Sequence, residues 1–250
     1  MASRQGKREH DISGDTQFAS TQWSLVLAAG RGASADAPAA LEELCRRYWR
    51  PLYVYVRRRV RDDHEAQDLV QEFFSSLLEK DTVAVAEPER GRFRAFLLTS
   101  FRNFLANQHQ RKSARKRGGG SAPLSLDMTT GEFCSTLEPV DSDTPERLYD
   151  RQWATTLLEL VLGHLRDEMT RSGRADYFEQ LSPFLAGRNR DVSYATAARR
   201  LGVSEGAAMV AAHRLRRRYR DLLHSEIAQT VADPQDVEEE IRSLFASLSQ

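Results

Sequence analysis

The chain has 250 residues, with 36 Lys and Arg set against 36 Asp and Glu, and 40% of its residues are hydrophobic, enough for a packed core in one large or two small domains. The two cysteines, Cys45 and Cys134, stand alone without redox or metal-ligand spacing, which excludes a disulfide framework and a structural zinc site and fits a reducing cytoplasm. Net neutrality conceals segregation: 90–117 holds nine Lys or Arg and no acid, 214–220 holds five Arg and no acid, and the acids gather at 62–79, 138–146 and 233–240.

Residues 1–17 are polar, patternless and expected to be disordered. They offer no apolar core for a signal peptide, and no run approaches membrane-spanning length. From about Thr21 the pattern is helical throughout, with no alternating stretch to nominate a strand, so the fold class is all-α. A first domain is expected over 18–117. Its helix from Cys45 to Arg61 carries Tyr48, Trp49, Leu52, Tyr53 and Val56 at core spacing.

The next helix, EAQDLVQEFFSSLLE at 65–79, places Leu69, Val70, Phe73, Phe74, Leu77 and Leu78 on one face. Glu65, Asp68, Glu72, Ser75 and Glu79 occupy the other. That acidic face is either a solvated side or a docking stripe for a basic partner surface. Residues 92–117 follow, with Phe93, Leu97, Phe101, Phe104 and Leu105 on an apolar face. Arg102, Asn103 and Gln110 lie away from it, Asn107 sits near the boundary, and a basic run starts at Arg111 and Lys112. Cations neutralise phosphates and amides address base edges, so this helix is the first candidate nucleic-acid surface. The acidic and basic helices read as two separate surfaces.

Gly118-Gly119-Gly120 opens a Ser/Thr/Pro/Asp-rich stretch, 118–144, with the composition of a flexible linker. A second domain is expected over 145–224, with Thr144 or Asp143 as cap and Pro145 in the first helical turn. Tyr177, Phe178, Leu181, Phe184 and Leu185 suggest an extra packing helix over 177–190. At 193–220 the pattern is that of a helix-turn-helix. Ser193 caps a short helix, Gly202-Val203 makes the turn, and Ser204 caps a second helix with Glu205 in its first turn. Ala208, Ala211, Leu215 and Tyr219 are expected inward; Gly206, Met209, Val210, His213, Arg217 and Arg220 are expected outward, with Arg214 beside them, as suits a major groove. The remaining 225–250 breaks at Asp233-Pro234. It ends in an amphipathic helix (Val237, Ile241, Leu244, Phe245, Leu248) that either caps the second domain or acts as a regulatory lid.

In this order the segments resemble the extracytoplasmic-function (ECF) sigma factors of bacterial RNA polymerase, in the sigma-70 superfamily. The motif HEAQDLVQEFFSSLLEK resembles the core-binding segment, GRFRAFLLTSFRNFLANQHQRK the minus-ten segment, and SYATAARRLGVSEGAAMVAAHRLRRRYRDLL the minus-thirty-five segment. TQWSLVLAAG, YWRPLYVYVRRR and EIAQTVADP resemble a long variety typical of planctomycetes. The resemblance implies a non-enzymatic subunit without cofactor, metal or small-molecule substrate. It implies contact of Glu65, Asp68, Gln71 and Glu72 with the β′ clamp helices, and of the second domain with the β flap. Arg102, Asn103, Asn107, Gln110, Arg111 and Lys112 would read and melt the minus-ten element. Ser204, Glu205, Met209, His213, Arg214 and Arg217 would read the minus-thirty-five element. An anti-sigma factor is a further expected partner. The family pattern is departed from at Met209, where a cation is common, and at Ala197 and Ala208, where larger aliphatics are usual. The alternative is a stand-alone helix-turn-helix regulator. An enzyme is disfavoured by the lack of a Walker loop, an HExxH motif, a nucleophile elbow or a Cys/His cluster.

Overall fold

Three of the helices begin at capping side chains, Thr144, Ser193 and Ser204. In the computed structural model, which describes residues 37–79, 92–116, 144–185, 193–231 and 233–249, every regular element is helical and none is a strand. The expected disordered start at 1–17, the first helical residues near Thr21, Cys134 and the linker residues 118–143 lie outside those ranges.

Helix α1 spans Ala37–Arg57, α2 spans Asp63–Glu79 and α3 spans Phe93–Lys116. Helix α4, Pro145–Arg171, starts as its sequence predicts: the Thr144 side chain accepts from the Arg147 N–H, and Pro145 fills the first turn, where no N–H is required. Helix α5, Ala175–Leu181, passes into a 3-10 turn over Ser182–Phe184. The expected packing helix over 177–190 is therefore shorter, because Pro183 cannot continue it, although Phe178, Leu181 and Phe184 are buried as core residues. Helices α6, Tyr194–Leu201, and α7, Glu205–Ala228, are capped by Ser193 and Ser204, which accept from the N–H groups of Thr196 and Ala207. Between them Gly202 adopts φ 68°, a left-handed conformation that glycine adopts without steric penalty. Helix α8, Val237–Leu248, closes the chain.

Two apolar clusters hold these helices. The larger joins α1, α2 and α3 to the first half of α4, the end of α7 and α8. It contains a chain of aromatic rings: Phe73 lies 4.9 Å from Phe101, Tyr48 5.2 Å from Phe93, and Tyr55 6.4 Å from Tyr149. The smaller gathers Leu165, Phe178, Leu181, Phe184, Ala197, Ala212 and Leu215. Helices α4 and α7 run through both, so the segments on either side of 118–143 share one core. Inside α7 the expected inward residue Ala211 is only partly buried and Ala212 is fully buried, one step further round the helix.

Polar ties reinforce the shared core. Arg47 pairs with Glu226 at 2.6 Å, Arg59 with Glu146 at 3.2 Å, and the Phe93 N–H donates to the Thr230 carbonyl at 2.9 Å. The densest tie surrounds Arg94, which is 7% exposed. Its Nε donates to Glu240 Oε1 at 2.5 Å and its Nη2 to Ser243 Oγ at 2.9 Å; Nη1 bonds Asp150, and the guanidinium lies 4.8 Å from the Trp153 ring centre. Arg92 adds a second cation to Glu240, at 3.0 Å. Burial pulls the Arg94 guanidinium's pKa down, but Glu240 and Asp150 more than reverse this and hold it charged. The closing helix thus meets α4 and the start of α3 together, touching both halves of the chain rather than only the second.

Candidate nucleic-acid interface

The acidic helix α2 begins where Asp62 Oδ1 accepts from the Glu65 N–H at 2.8 Å, and that hydrogen bond lowers the carboxyl's pKa. Leu69, Val70, Phe73, Phe74 and Leu77 are buried, which leaves Glu65, Asp68, Gln71 and Glu72 exposed along the other side. Glu65, Asp68 and Glu72 of the predicted docking stripe are therefore presented to solvent. The side chains of Leu78 and Glu79 lie outside the described residues.

Helix α3 buries Phe93, Leu97, Phe101 and Leu105, and its opposite side exposes Arg102, Asn103, Asn107, Gln110 and Arg111. Asn107, expected at a boundary, is fully on the exposed side. Lys112 belongs to the same helix, but its side chain is outside the described residues. Two of the cations counted in the basic stretch do not belong to this surface, since Arg92 and Arg94 are engaged with Glu239, Glu240 and Asp150.

The two faces expected to be separate meet across one groove of about 730 Å³ between α2 and α3. Asp68, Gln71 and Glu72 form one rim and Asn103, Asn107 and Arg111 the other, with Phe73 and Phe104 among the apolar lining. Gln108 bridges the rims, donating from Nε2 to Glu72 Oε2 at 2.6 Å. Sequence reasoning missed Gln108, although its spacing of four residues from Phe104 places it beside that ring. A half-buried aromatic ring flanked by amides and a cation can stack on and hydrogen-bond to an unpaired base. The acidic rim repels a phosphate chain and can accept cationic side chains from a protein instead.

The second predicted surface lies on α7. Ser204, Glu205, Gly206, Met209, Val210, His213, Arg214, Arg217 and Arg220 are all exposed. Other arginines of α7 are structural: Arg216 donates to the Phe184 carbonyl at 2.8 Å and to Tyr194 Oη at 2.7 Å, and Arg218 grips Glu168 with Nε and Nη2. Among the described residues no group of three or more His, Cys, Asp or Glu side chains could hold a metal ion, and no helix is long and apolar enough to cross a membrane.

Residues 44–115, from within α1 to near the end of α3, match the family described as Sigma-70 region 2. No curated protein and no solved structure matches the chain. The family indicates a sigma-factor role in promoter recognition and implies binding to core RNA polymerase and to promoter DNA.

Proposed function

We propose that this chain is a sigma factor of the ECF kind, which binds core RNA polymerase and directs it to promoters without covalent chemistry of its own. The observation that carries the reading is a coincidence of position. The segment matching Sigma-70 region 2 contains both the exposed acidic stripe of α2 and the exposed amide-and-cation face of α3. In this reading Glu65, Asp68, Gln71 and Glu72 grip the β′ clamp helices. Arg102, Asn103, Asn107, Gln110, Arg111 and Lys112 capture the nontemplate strand of the minus-ten element, with an unstacked base held in the groove beside Phe104. Unstacking takes a few kcal/mol per step, which stacking and amide contacts offset.

Helices α6 and α7 would form the helix-turn-helix that reads the minus-thirty-five element and meets the β flap. Support comes from the two serine caps, the left-handed Gly202 and the exposed arginines of α7. Residues 118–144 would tether the two DNA-binding parts, which must separate from their shared core to span both elements. A stand-alone regulator would explain α6 and α7 but leaves the acidic stripe and the region 2 match without a role. Cytoplasmic localisation, control by an anti-sigma factor and kinship with the long planctomycete variety belong to the same proposal.

Run-off transcription with purified core polymerase tests it. The chain should confer promoter-specific transcripts, and Asp68→Lys with Glu72→Lys should abolish them while the helical content stays intact, since both residues are exposed. Undiminished transcripts from the charge-reversed chain would remove the docking role.

A further inference from the structure

Helix α7 turns a face to solvent that is apolar where it first emerges and cationic further along. Met209 is 51% exposed and Val210 52%, the two most exposed of the four large hydrophobic residues that face solvent among the described residues. At 100° per residue Gly206, Met209, Val210, His213, Arg217 and Arg220 fall on one side of the helix, opposite buried Ala208, Ala212 and Leu215. Between Gly206 and Ala212 no side chain carries an N–H or O–H donor. Arg214, Arg217 and Arg220 make no hydrogen bond or ion pair among the described residues, in contrast to Arg216 and Arg218.

From these observations, and resting on the reading of α6 and α7 as a DNA-binding unit, we infer that Met209 and Val210 determine specificity by packing on thymine methyl groups in the major groove. The unpaired arginines complement phosphates, which makes duplex DNA the occupant that fits this face. Bidentate reading of guanine or adenine needs an Arg, Lys, Asn or Gln at the base edge, and this stretch has none. The C5-methyl of thymine is the one apolar feature a standard base presents in the major groove. Adjacent residues on a helix rise 1.5 Å and turn 100°, so Met209 and Val210 address neighbouring base pairs. Gly206 sits on the same side, and a Cβ built there would meet nothing, so internal packing does not require a glycine at this position; its bare backbone leaves room for the groove wall to approach.

The test uses the full chain assembled on core polymerase and a duplex library with a randomised upstream segment. The selected duplexes should carry thymine at two adjacent positions of one or both strands. Uracil, which differs from thymine only by the absent methyl, should weaken binding about fourfold at each position, the value for one buried methyl-sized group. Met209→Ala should erase the sensitivity at one position and Val210→Ala at the other, with helical content unchanged. If Arg217→Ala weakens binding but uracil substitution does not, α7 reads DNA by other means and the inference is wrong while the DNA-binding reading stands. If no duplex is enriched, or Arg217→Ala leaves enrichment untouched, the DNA-binding reading fails and takes this inference with it. Loss of polymerase binding in Met209→Ala and Val210→Ala, with uracil sensitivity retained, would assign the face to a protein partner and also overturn it.

Discussion

Replacing Glu240 with alanine leaves the Arg94 guanidinium in the core without its main counter-charge. Glu240 is completely buried, accepts from Arg94 Nε at 2.5 Å and from Arg94 Nη2 at 3.2 Å, and forms an ion pair with Arg92 Nε at 3.0 Å. Breaking a buried pair from one side costs about 3–5 kcal/mol, because the remaining charge cannot return to water. Arg94 retains Asp150 and Ser243, so the expected loss lies at the lower end, about 3 kcal/mol. In a chain of this size that lowers the midpoint by roughly 6–12 °C. Differential scanning calorimetry measures it directly. A double variant, Arg94→Met with Glu240→Leu, removes both charges and should recover most of the loss, since apolar replacement of a whole buried pair is commonly neutral or stabilising. Refutation is equally direct: a single variant that melts within about 1 °C of the parent, or a double variant as unstable as the single one, means that the tie does not hold the closing helix.

Gly202→Ala should lose about 1 kcal/mol by urea titration, because an L side chain is strained at φ 68° while its Cβ would touch nothing. Raising the pH should unfold the chain in the alkaline range. Burial raises the phenols of Tyr48 and Tyr149, and it lifts Tyr55 to about 12 against the opposing Arg59 guanidinium. Because the folded values lie above the unfolded value of about 10, this stability is complete below pH 10 and is lost as pH rises through 12. Tyrosinate absorbance should appear together with loss of helix, and Tyr48→Phe should blunt the effect. Finally, Arg111→Ala should reduce the salt slope of single-stranded DNA binding by about 0.7 for each phosphate it no longer neutralises, whereas Arg92→Ala should leave the slope unchanged.

Much of the local structure was legible because capping residues and helical phase are local. Ser193, Ser204 and Thr144 cap as expected, and the exposed and buried sides of α2 and α3 follow the 3.6-residue period. Phase also held unused information. Arg94 falls within the arc of Phe93, Leu97, Phe101 and Leu105, Glu226 falls at the centre of α7's buried side, and Glu240 borders the stripe of Val237 and Leu244. A charge on an apolar arc signals a buried partner, but that partner can lie more than a hundred residues away along the chain, as Glu240 does from Arg94. For the same reason the groove shared by α2 and α3 could not be read from either helix alone: each helix's composition specifies its own side, and only tertiary packing brings Glu72 to Gln108.

The use of Arg92 and Arg94 as internal ties bears on how the molecule can be dissected. A recombinant piece ending at residue 116 would contain the whole region 2 match, yet it would lack Asp150, Glu239 and Glu240 and release two guanidinium groups into solvent. It would also uncover the side of α1 that carries Tyr55, which in the intact chain meets Tyr149 of α4. Such a fragment should adhere to any polyanion and to itself, and its apparent affinity for nucleic acid would include charge that the intact 250-residue chain keeps engaged in ion pairs.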